Sequence, residues 1–139
     1  MEKFKYLEHT ADVLFQAYGS TFNELLLNAT LAMCNAVCDF GSVGQKDSVK
    51  IEVSAGNREE LLHNFLKEIL FKIDTERMLF SNFKIELDEG KNAVKAELLG
   101  EKINPEKHTI KAEVKAVTWH NFWVKKENNK WSCQVLLDI

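Results

Sequence analysis

Apolar residues at Phe22, Leu25, Leu26, Ala29, Met33, Ala36 and Val37 recur in steps of three and four, the spacing of one face of an α-helix. Thr21 before them and Glu24 three residues on form a capping-box pattern at the start of that helix. A second run, Leu61, Leu62, Phe65, Leu66, Ile69, Leu70 and Ile73, opens behind Asn57 and Glu60. Its stripe is the wider of the two, so this second helix is expected to be the more buried. Elsewhere the period falls to two. Val49, Ile51 and Val53 alternate with polar residues, which predicts a half-buried strand over 49–54.

Further strands are predicted at 4–8, 13–18, 83–88, 93–100, 110–117, 121–126 and 130–137. Residues 39–48 read as a loop. Glu89-Gly90-Lys91-Asn92 and Glu127-Asn128-Asn129-Lys130 carry hairpin-turn chemistry, and Asn104-Pro105 marks another turn. The pattern predicts an α+β fold in a single domain over residues 1–139. Two helices pack on a mostly antiparallel or mixed sheet of about seven strands. Both helices lie on one sheet face, or two helix-on-sheet layers share a core.

Composition narrows the class. The chain has 139 residues, enough for one core, with nine Phe and three Trp to fill it. The net charge of −3 disfavours a domain whose main act is to coat nucleic acid. The start, Met1-Glu2-Lys3-Phe4, has no apolar leader, and no run reaches 18 apolar residues. Three cysteines, Cys34, Cys38 and Cys133, are expected to be free thiols in a reducing cytoplasm, without zinc, because no second ligand pair accompanies them.

Candidate chemistry sits in three places. His9-Thr10-Ala11-Asp12 joins two predicted strands, and Asp12 there suits an oxygen-binding cation or caps its own turn. At the other end, Leu136-Leu137-Asp138-Ile139 stops on a strand. That places the Ile139 carboxylate beside Asp138, unless the strand merely ends there. Lys115-Ala116-Val117-Thr118-Trp119-His120 puts a lysine before an apolar, β-branched stretch. Lys115 suits a phosphate or an acidic cluster, or is an ordinary exposed lysine. His9 and His120 stand next to these motifs, and spacing does not decide whether either contributes. No phosphate-binding loop, GxSxG or HExxH is present, so no enzymatic kit of its own is visible.

Taken together and in order, HTAD, KAVTWH and a terminal Asp-Ile resemble the archease family over essentially the whole chain. Glu24, the helix with Leu62, Phe65, Leu66 and Leu70, and Gly100-Glu101 add to the resemblance. It implies a compact α+β accessory protein, not an enzyme, that acts in tRNA splicing. Such a protein activates an RtcB-type RNA ligase by promoting its guanylylation and multiple turnover. The resemblance further implies a divalent metal, described as calcium, held by Asp12, Asp138 and the carboxylate of Ile139, with Lys115 as the functional lysine. The expected partner is the tRNA-splicing ligase, with no stable nucleic-acid binding and no membrane. Two alternatives remain: a metal-independent chaperone or adapter for RNA-processing proteins, and a metal-dependent phosphotransferase or hydrolase.

Overall fold

The computed structural model describes residues 2–139. Eight strands and two helices follow the chain. They are β1 (Phe4–Leu7), β2 (Val13–Gly19), α1 (Phe22–Val37), β3 (Asp47–Ser54), α2 (Arg58–Glu76), β4 (Met78–Asp88), β5 (Ala93–Lys102), β6 (Ala116–Val117), β7 (Trp123–Glu127) and β8 (Lys130–Asp138). The fold is α+β. The strands divide into two antiparallel sheets, one of five strands in the order β1-β2-β8-β6 with β7 also on β8, and one of three in the order β3-β5-β4. Each helix touches both sheets: α1 packs on β1, β2, β8 and β4, and α2 packs on β3, β4 and β5 as well as on β6 and β7. One continuous cluster of buried side chains joins all of these elements. Of the two expected layerings, this is the shared core.

Local chemistry starts both helices in the same way. The Thr21 hydroxyl accepts from Glu24 N at 3.0 Å, and Glu24 Oε1 accepts from Ser20 N at 3.0 Å. Asn57 Oδ1 accepts from Glu60 N at 2.8 Å. The contacts to Glu24 N and Glu60 N each satisfy an amide that the first helical turn leaves unpaired, and the contact to Ser20 N ties the residue before the cap to the helix. The Asn128-Asn129 turn between β7 and β8 has both residues at positive φ, 53° and 60°. The tight primed turn requires that backbone, and asparagine tolerates it.

Burial reverses one expectation. In α1, 11 of 16 residues are buried, against eight of 19 in α2. Lying between two sheets, α1 buries polar positions as well, and these are satisfied locally. Asn28 Nδ2 donates to Tyr18 O at 2.6 Å, and Thr30 Oγ1 donates to Leu26 O at 2.8 Å.

The strand expected over 110–117 is reduced to Ala116–Val117 plus an isolated bridge from Ile110 to Cys38. Within that segment, Lys111 N donates to Val37 O at 2.7 Å, and the turn that precedes it, through His108, is held by side chains. Glu101, 5% exposed, accepts from Gly44 N at 2.6 Å, from Lys107 Nζ at 2.7 Å and from His108 Nε2 at 3.0 Å. Because His108 Nδ1 accepts from Asn104 N at 2.9 Å, the imidazole proton sits on Nε2 and points at Glu101. These donors hold the Glu101 carboxyl at about 2, well below its usual range, with Lys107 the largest cause and Gly44 the next.

The three-stranded sheet shows solvent a regular charge pattern. Register aligns Lys50, Glu97 and Lys84 in one row and Glu52, Lys95 and Glu86 in the next. Opposite charges across neighbouring strands neutralise this face, leaving no basic stripe for a polyanion.

Candidate functional site

The five-stranded sheet brings the three sequence-remote candidates to one end. Val13 pairs with Leu137, so Asp12, one residue earlier, and Asp138, one residue later, leave the β2–β8 ladder at the same end. On the other edge of β8, Ala116 pairs with Asp138, and Lys115 N donates to Asp138 O at 2.7 Å. Lys115 is therefore the chain neighbour of Asp138 across that edge, with Ile139 following it. Asp12 is 30% exposed and has His9 Nδ1 3.7 Å from its Oδ2. Lys115, Asp138 and Ile139 are exposed. His120 is exposed and donates its N–H to Thr118 Oγ1 at 3.3 Å.

Ala11, immediately before Asp12, has φ 71°. Alanine in the left-handed region carries a strain of about 1–2 kcal/mol, and such strain collects at functional turns. It fixes the direction in which Asp12 leaves the turn.

Among the described residues, no cluster of three or more His, Cys, Asp or Glu side chains is arranged to hold a metal ion. The corner at the end of β2 and β8 has two carboxylate side chains, both hard oxygen donors of the kind that Ca²⁺ and Mg²⁺ take. Such a pair fits a cation of that class only when main-chain oxygens or water complete the shell. The donors do not suit zinc, which takes nitrogen and sulfur. The thiols are remote in character: Cys34, Cys38 and Cys133 are all buried, and burial pushes the Cys34 and Cys133 thiols up to about 12. Protonated thiols at neutral pH are poor ligands and poor nucleophiles.

Beside this corner lies a feature that reading the sequence passed over. His63 of α2 is 1% exposed and stacks on Trp119 with ring centroids 3.6 Å apart and an interplanar angle of 4°. Its Nε2 lies 3.1 Å from Thr118 O, and Phe122 closes edge-on at 5.1 Å. Burial, opposed by the Thr118 contact and assisted by Lys67, lowers its pKa from the ordinary histidine value. Its Nδ1 is buried without a hydrogen-bond partner. The signal was present in the pattern, since His63 steps by three and then four to Leu66 and Leu70 on the buried stripe. These contacts pin the segment that begins at Lys115 against α2. Between α2, β3 and β6 runs an open groove of about 660 Å³, lined among others by His63, Lys67, Phe71, Lys115 and Trp119. Phe71, absent from the helical stripe, is 55% exposed there, as is Trp119.

The profile of the archease protein family matches residues 4–139. The chain belongs to the archease family. Among its relatives, the protein archease of Methanosarcina acetivorans is 37% identical over 99% of this chain and 97% of that protein. That of Pyrococcus furiosus is 34% identical over the full length of both. The solution structure of Methanobacterium thermoautotrophicum protein 1598 superposes with a TM-score of 0.88 at 36% identity, covering all of both chains. An archease from Thermotoga maritima, described as a possible chaperone, shares the fold with a TM-score of 0.68 at 17% identity, over 97% of this chain and 96% of its own. The two-helix, two-sheet architecture is thus the archease fold.

Proposed function

We propose that this archease is an accessory protein, not an enzyme, that works in the cytoplasm on an RtcB-type tRNA-splicing ligase. It promotes the ligase's guanylylation and its multiple turnover. In this reading Asp12, Asp138 and the main-chain carboxylate of Ile139 hold a divalent cation, calcium by the family resemblance, and Lys115 sets the charge beside it. A cation there would supply charge neutralisation to a nucleotidyl transfer on the partner. The protein's own residues bind and orient it: two carboxylates from the ends of paired strands, with Ala11 fixing the approach of Asp12.

The observation that supports this reading is the convergence of Asp12, Asp138 and Lys115, distant in sequence, at one end of the β2–β8–β6 ladder. The neutralised outer sheet and the net charge of −3 favour action through a protein rather than direct binding to RNA. The test is guanylylation and multiple-turnover joining by the cognate ligase, with and without this protein. Asp12→Ala, Asp138→Ala and Lys115→Ala should abolish activation and leave the fold intact. If all three variants activate like the parent, the metal-centred account falls and a metal-independent adapter takes its place. If the isolated protein turns over a nucleotide or phosphoester, it is an enzyme and the accessory reading fails.

A further inference from the structure

We propose that the groove between α2, β3 and β6 is a docking site for a segment of the partner protein that carries an apolar anchor flanked by charges of both signs. The inference rests on the accessory reading above and adds the surface by which the partner is held. Phe71 and Trp119 are the most exposed large apolar side chains among the described residues, 55% each, and both line this one groove. Solvent exposure of two large rings in one concave surface is unfavourable unless something covers them. Aromatic anchors of this kind carry most of the energy in protein interfaces.

The ring of Trp119 is already ordered. One face lies on His63 at 3.6 Å, and Phe122 meets it edge-on at 5.2 Å. An occupant therefore meets a preset surface and loses little side-chain entropy in ordering it.

The choice of a protein occupant comes from the charges. Lys67, Lys115, Glu68 and Asp74 line the same groove, two of each sign. Among the described residues, none of the four has an opposite charge within 4.0 Å. A polyanion such as RNA would gain from the lysines and be repelled by the carboxylates. A peptide segment with one acidic and one basic residue beside its anchor satisfies both pairs. Lys115 belongs to this groove and also neighbours Asp138. A segment seated here therefore lies next to the acidic corner, and docking and activation become adjacent but separable functions.

The experiment is a binding titration of fluorescently labelled cognate RNA ligase with full-length parent, Phe71→Ser and Trp119→Ala, run beside activation assays. Phe71→Ser changes an exposed side chain and should keep the parent's circular dichroism and melt. It should raise the Kd about tenfold or more. Activation should return at saturating Phe71→Ser, because the corner is untouched. Asp138→Ala should show the opposite split: binding retained and activation lost. Trp119→Ala should bind as weakly as Phe71→Ser. If the parent activates the ligase and both groove variants bind with the parent's Kd, the docking inference is overturned and the accessory reading stands. If the parent binds through the groove without activating, docking stands and the activation account falls. Binding of a single-stranded RNA oligonucleotide that Phe71→Ser abolishes would make the groove a nucleic-acid site and overturn the proposal. A parent that neither binds nor activates the ligase removes both.

Discussion

Calcium should invert the order of stability between the parent and Asp138→Asn. Asp12 and Asp138 leave the same end of an antiparallel ladder, where directly opposed Cβ atoms sit about 4.5–5.5 Å apart. Two carboxylates about 5 Å apart in a largely aqueous setting repel by about 0.8 kcal/mol, since 332/(80 × 5) is near that value. In chelator, removing one charge should therefore stabilise the protein by no more than about 1 kcal/mol. For a 139-residue chain the unfolding entropy is about 0.3 kcal/mol/K, so that gain is about 3 °C in Tm. Calcium at about a hundred times its Kd should stabilise the parent by about 2.7 kcal/mol, or roughly 9 °C. Asp138→Asn keeps the shape but loses a charged donor, so its melt should move far less. The assay is a pair of differential scanning calorimetry series, one in chelator and one across a calcium titration. The variant should melt higher in chelator and lower in calcium. Parallel curves for the two proteins, or a parent melt that calcium does not shift, would refute the assignment of Asp138 to a cation site.

Other outcomes follow from single contacts. Adding one residue after Ile139 moves the end carboxylate about 3.3–3.6 Å, so activation should be lost while the melt in chelator stays that of the parent. Glu101 is depressed to about 2, so its stabilisation is present above the unfolded value near 4.5 and is lost as pH falls from there toward 2. Denaturant melts of Glu101→Gln should show lower stability at pH 7 and a flatter profile through that window. His63 is held below 6.5, chiefly by burial, so the unfolded chain takes up a proton that the folded one refuses. Stability should fall as pH drops below about 6.5, and His63→Phe should remove that step in melts followed by Trp emission. A Cβ at Gly100 would lie 1.8 Å from Leu79 O and 2.9 Å from Phe80 Cα, both backbone atoms beside the bulge between Phe80 and Asn82. Gly100→Ala should therefore destabilise by about 3 kcal/mol or more in chemical denaturation, and an effect below about 1 kcal/mol would contradict that packing.

The sequence by itself determined what depends on neighbours within a turn or two. The steps of Leu25, Leu26 and Ala29, the Thr21 and Asn57 caps, the alternation in 49–54 and the Asn128-Asn129 turn all appear where the pattern predicts them, within a residue or two. The α+β class and the family were legible for the same reason: periodicity and ordered motifs are properties of the chain as written. Depth was not. That α1 is the more buried depends on which remote strands pack over it, which no count of apolar residues in its own stripe reveals. The segment 110–117 reads as β by composition, yet it pairs only through the Ile110–Cys38 bridge and Ala116–Val117. Whether a β-prone segment finds a partner strand is decided by the tertiary fold and not by its own composition. Asp12, Asp138 and Lys115 were each weak signals in isolation. Only strand register carries residue 12 to residue 138, and residue 115 to the other side of it. The pairing of His63 with Trp119, and the groove they help form, required the third dimension entirely. A helical face and a strand end meet there because burying both sheets against the same two helices leaves them no other place to pack.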